Sequence, residues 1–177
     1  TGFVGSSIWK YVYSFPQTTA EMVEKGYQEI YDLWCPILDV FKENGIKYCL
    51  EVHPGEIAFD YYSTKRLLDK FADRPEFGLN FDPSHYVWQG LDYLQTVYEF
   101  KDRIFHIHFK DIKLYPEKLK QCGVLAYPLE YMSPKIPGLG DVDWGAFVSA
   151  LNDIRFEGDA VIEVEDKAFE GSREDIL

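Results

Sequence analysis

Apolar and polar residues alternate through Phe105-His106-Ile107-His108-Phe109-Lys110-Asp111. Successive side chains of a β-strand point to opposite faces, so His106 and His108 share one face while Phe105, Ile107 and Phe109 share the other. The same pattern occurs in Leu50-Glu51-Val52-His53, Leu79-Asn80-Phe81-Asp82 and Ile162-Glu163-Val164-Glu165. Each is a short hydrophobic strand whose last residues bring two polar groups to one face. All four histidines, His53, His85, His106 and His108, lie in or just after these segments.

Between the strands the period changes to that of helices. Thr18 or Thr19 caps a long helical stretch in which Met22, Tyr27, Ile30, Leu33, Trp34, Ile37, Leu38 and Phe41 recur at helical spacing. Pro36 is expected to kink it and Asn44-Gly45 to stop it. Strands are expected over 46–53, 77–82, 104–110 and 160–165. Ser63-Thr64 caps a helix carrying Leu67, Leu68 and Phe71. Asp92 caps one carrying Leu94, Val97, Tyr98 and Phe100, and Asp143 caps the last, with Trp144, Phe147, Leu151 and Ile154. The segment 111–141, with Pro128, Pro134, Pro137 and three glycines, is expected to be irregular. Residues 1–7 read as the end of a strand, and Trp9, Tyr11, Tyr13 and Phe15 as an aromatic loop that walls a pocket or packs on the core.

The resulting order, β-α-β-α-β-loop-α-β, implies right-handed crossovers and parallel strands of an α/β fold. A doubly wound sheet and part of a (β/α)8 TIM barrel both fit. A doubly wound sheet is covered on both faces and reads as apolar runs. A barrel carries its active site at the C-terminal ends of its strands, which is where the polar pairs fall here. The expected fold is therefore a single domain over 1–177, a partial TIM barrel of about four βα units. Because the chain opens on Thr1-Gly2-Phe3-Val4-Gly5, it is expected to be the C-terminal portion of a longer polypeptide.

Composition narrows the partners. A net charge of -12 disfavours nucleic acid, which needs a basic surface. No apolar run reaches the roughly 18 residues that span a bilayer. Cys35, Cys49 and Cys122 are odd in number and widely spaced, which suits a reducing cytoplasm better than a disulfide framework.

Glu51, Asp82, His108 and Glu163 are the chemistry-bearing set: three carboxylates and one imidazole suit one divalent cation, Mn²⁺, Mg²⁺, Co²⁺ or Zn²⁺. Taken singly, each has a plain explanation as a solvated or hydrogen-bonded side chain. Repetition on four consecutive strands is what favours a shared site.

The motifs LEVHP (50–54), NFDPSH (80–85), HIHFKD (106–111), PGLGDVDW (137–144) and VIEVED (161–166) resemble the xylose-isomerase-like TIM-barrel superfamily of sugar isomerases and epimerases. The resemblance runs in order along nearly the whole chain. It implies metal ligation by Glu51, Asp82, His108 and Glu163, with substrate contact from His85. Lys135 stands where epimerases carry a substrate-contacting arginine, although a lysine lacks the bidentate fork. His53, Glu56 and Trp9 are further pocket candidates. Asn80, His106 and Glu165 are expected to orient ligands, and Lys110 and Asp111 to serve the following loop.

The implied activity is metal-dependent isomerisation or epimerisation of a sugar or sugar phosphate. Glu51 and Glu163 would pass a proton beside a carbonyl by way of a metal-stabilised enediolate. The same residues fit a keto-cyclitol (inosose-type) dehydratase. A catalytically silent barrel fragment is the non-enzymatic alternative, and an endonuclease IV-like nuclease would need more histidines and a basic groove. The expected partner is a small sugar or cyclitol, in a cytoplasmic protein for which a homo-oligomer is one possible assembly that no motif decides.

Overall fold

A computed structural model describes residues 20–124 and 126–171. The expected readings of residues 1–19, including the strand end, the threonine cap and Trp9, lie outside the described residues. The rest groups into two compact units: one holds the described residues up to Asn80 together with 102–105, the other 81–101 and 106 onward.

In the first unit, helix α1 (Ala20–Glu43) runs through Pro36 and turns its buried residues Tyr27, Ile30 and Leu38 inward. It ends at Glu43, and the turn beyond it passes through Gly45, whose φ of 66° is open to glycine at little cost. Strand β1 (Tyr48–Glu51) pairs in parallel with β2 (Phe77–Phe81), in a register that sets Glu51 beside Asn80. Between them, α2 (Tyr61–Lys70) buries Leu67 and Leu68. Phe71, just past its end, stacks on Phe77 with ring centroids 4.2 Å apart.

The α2 cap falls three residues earlier than the sequence pattern suggests. Asp60 is the N-cap and accepts from the Ser63 amide, while Ser63 Oγ accepts in return from the Asp60 amide. An aspartate ahead of Ser63-Thr64 takes the cap because its carboxylate reaches the same N–H groups while the serine serves the reciprocal bond. Asp60→Ala is expected to lower unfolding free energy by about 1 kcal/mol in urea titration.

Gly78 faces the other end of the same unit. A Cβ there would lie 2.3 Å from the Phe105 ring and 2.5 Å from the Arg103 carbonyl oxygen, so this stretch of β2 accepts only glycine without rearrangement.

In the second unit, β3 (Ile104–Phe109, its first two residues belonging to the first unit) pairs in parallel with β6 (Asp159–Ile162), setting His108 beside Val161. Phe81 stacks on Tyr86 of α3 (Pro83–Val87), and with Phe147, Ile107 and Leu151 it forms the core. Helices α4 (Tyr93–Glu99) and α6 (Trp144–Asp153) are capped by Asp92 and Asp143 as expected.

The segment 111–141 is not irregular. It contains an antiparallel pair, β4 (Asp111–Leu114) and β5 (Met132–Lys135), with a short helix α5 (Pro116–Cys122) between them. Strands of four residues, one holding Pro134, give too little alternation to be recognised by pattern. Asp111 organises the return of this excursion. It is fully buried and accepts from the amides of Ile112, Gly138, Gly140 and Val142 and from Trp144 Nε1, at 2.8–3.0 Å.

Candidate metal centre

The chemistry is built at the C-terminal ends of the parallel strands. Asp82 directly follows β2 and caps α3, its Oδ1 accepting from the Ser84 amide at 2.8 Å. Proline at the first helical position and histidine two residues later complete a tight turn that carries the ring of His85 back to 3.4 Å from Asp82 Oδ2. One Asp82 oxygen is thus spent on the backbone and the other is left facing the cluster. His108 stands one residue before the end of β3, and Glu163 directly follows β6, its amide donating to the Phe109 carbonyl.

Asp82, His108 and Glu163 converge: one ligand atom from each lies within 4.8 Å of those of the other two. Glu163 Oε2 is 2.9 Å from His108 Nδ1. Asp82 Oδ2 and Glu163 Oε2 are buried, with the Lys110 ammonium 3.1 Å from the first and 3.0 Å from the second. Buried carboxylate oxygens need a positive or donating partner. Two of them beside an imidazole form an N/O donor set that a divalent ion fits, its ligand atoms spaced about 3–4 Å apart around bonds of about 2.1 Å.

The remaining candidates are placed as follows. Glu51 ends β1 in the first unit and has Asn80, two residues before Asp82, as its strand partner. His53, in the same unit, is half-buried with Nδ1 2.6 Å from the Pro54 carbonyl. Glu56 is half-buried; burial and then the Glu51 carboxylate push its pKa up, and its Oε2 accepts no hydrogen bond among the described residues. His85 is buried against Asp82 and Lys110. The His106 ring meets that of His108 edge-on at 5.5 Å, as their shared face requires. Lys135 donates to buried Asp166 at 2.8 Å. Trp9 lies outside the described residues.

Asp111 serves the loop, as expected, but Lys110 does not. Lys110 is 4% exposed, and its Nζ reaches Asp82, Glu163 and Glu165. Burial opposes its charge, but these carboxylates outweigh that penalty and hold its pKa above the ordinary lysine value. The sequence signal was present. Lys110 continues the His106, His108 face at period two, while Asp111 falls on the opposite face.

Two aspartates of this unit titrate low. Burial raises the Asp166 carboxyl, but Lys135 and the Ala168 amide more than reverse it. Burial likewise opposes the ionised form of Asp141, and Lys113 and the Leu114 amide overcome it. A depressed folded-state pKa contributes stability that is present above the unfolded value and lost as pH falls through the folded one. Unfolding free energy is therefore expected to decline below the ordinary aspartate value of 3.8. Lys135→Met should flatten that decline in acid titrations followed by circular dichroism.

The model of the family described as xylose isomerase-like TIM barrel matches residues 9–177. The chain belongs to that family. An inosose dehydratase of Clostridium perfringens (strain 13) is 29% identical over 130 residues, 70% of this chain and 42% of that protein. The structure of 3-keto-D-glucoside 4-epimerase YcjR from E. coli has a TM-score of 0.63 at 16% identity, covering 92% of this chain and 55% of the other. That of an IolI protein with a bound zinc atom has a TM-score of 0.60 at 20% identity, covering 87% and 51%. The fold is thus part of a TIM barrel, and the chain spans about half the length of the relatives it matches. Among the described residues, no helix is long and apolar enough to cross a membrane.

Proposed function

We propose that the protein is a divalent-metal-dependent enzyme that moves a proton beside the carbonyl of a sugar or sugar phosphate, as an isomerase or epimerase. The observation that carries this reading is the convergence of Asp82, His108 and Glu163, which gathers two buried carboxylate oxygens beside an imidazole. In the same proposal Glu51 is the fourth ligand, since it ends the strand whose neighbour leads into Asp82. A bound Mn²⁺, Mg²⁺, Co²⁺ or Zn²⁺ would supply Lewis acidity toward the carbonyl and an adjacent hydroxyl. Glu163, about a third exposed, is within reach of both solvent and cluster, and takes or returns the proton opposite Glu51. His85, His53, Glu56, Lys135 and Trp9 are assigned to substrate contact. A cytoplasmic location and self-association belong to the same reading.

Loss of water from a keto-cyclitol is the second reading, favoured by similarity to inosose dehydratase. Both reactions begin by removing a proton beside a carbonyl, so one cluster serves either. The discriminating experiment incubates the full-length protein and Mn²⁺ with ketohexoses, their phosphates and inosose, followed by NMR. Chelator-sensitive conversion of a ketose to an isomer or epimer supports the first reading, and an enone product from inosose the second. No conversion of any of them would contradict both.

A further inference from the structure

The Lys110 ammonium lies 3.1 Å from Asp82 Oδ2, 3.0 Å from Glu163 Oε2 and 3.2 Å from Glu165 Oε2, with His85 Nε2 at 3.2 Å. Burying an ammonium is costly, and so is crowding carboxylates together without a cation; the arrangement persists because each offsets the other. Two of those carboxylates are the proposed metal ligands, and the ammonium sits against their buried oxygens, Asp82 Oδ2 and Glu163 Oε2.

We propose that Lys110 is a built-in counter-cation, which holds the acidic rim together without metal and moderates the affinity of the divalent ion that shares its carboxylates. The inference rests on the metal-centre reading above. A buried charge this close to a second cation repels it. Removing the ammonium leaves the metal-free protein with uncompensated carboxylates and the loaded protein with less repulsion. Both changes favour metal binding, whereas loss of a lysine that serves only packing would favour neither.

The test compares native protein, Lys110→Met and Lys110→Arg by calorimetric Mn²⁺ titration and by melting with and without Mn²⁺. Lys110→Met is expected to bind Mn²⁺ about tenfold more tightly than native protein. Its metal-free melting temperature should fall by about 10 °C, a deficit that closes at saturating Mn²⁺. Lys110→Arg, which keeps the charge, should retain native affinity. If Lys110→Met folds only with Mn²⁺, the ion has replaced the missing charge, as expected. Native or weaker affinity in Lys110→Met, equal tightening in Lys110→Arg, or a melting deficit that Mn²⁺ leaves unchanged would overturn the inference, as would Lys110→Met failing to fold even with Mn²⁺. Native protein that binds no Mn²⁺ removes the metal reading itself; native binding without tightening in Lys110→Met removes only the lysine's role.

Discussion

Asp111→Ala is expected to lower unfolding free energy by about 3–5 kcal/mol. The carboxylate accepts from four amides and the Trp144 indole, and it gathers Gly138, Gly140 and Val142 onto the start of β4. Alanine leaves those five donors without the carboxylate that accepts from them. A Cβ on Gly140 would stand 2.2 Å from Asp111 Oδ1, so the backbone closes on the carboxylate too tightly for any side chain to substitute. Asp111→Asn should lose roughly half as much, since the amide keeps one acceptor oxygen but aims N–H groups at donors. Urea titration monitored by tryptophan fluorescence reads both. A loss below about 1 kcal/mol in Asp111→Ala would show that the loop has another anchor.

Glu163→Gln is expected to reduce turnover about 10²- to 10⁴-fold at saturating Mn²⁺, the contribution typical of a positioned acid or base. Glutamine preserves shape and hydrogen-bonding reach but can neither hold the proton nor carry the ligand's charge. The fold should survive, because Glu163 lies beyond the end of β6 and supports no apolar core. Turnover measured beside a melting curve separates chemistry from stability, and a fully active Glu163→Gln would remove this residue from the mechanism.

Much of this was legible in the sequence because period two and period 3.6 are visible wherever an element buries one face. The placement of Glu51, Asp82 and His108 at or beside strand ends, and the caps at Asp92 and Asp143, follow from alternation and from short polar residues placed ahead of apolar helices. The β4–β5 pair was hidden by its brevity and by Pro134. Asp60 was hidden because Ser63-Thr64 offers an equally good cap by composition alone. Lys110 escapes pattern reading for a different reason. Lysine is rarely buried, and only the cluster of carboxylates, assembled by the fold from distant segments, makes burial favourable there.

Manganese binding followed by electron paramagnetic resonance probes the shared rim most directly. Native protein should take up one equivalent of Mn²⁺, and Asp82→Asn and His108→Ala should each lose it while remaining folded. Undiminished uptake in both variants, or none in the native protein, would contradict the assignment of these side chains to a cation.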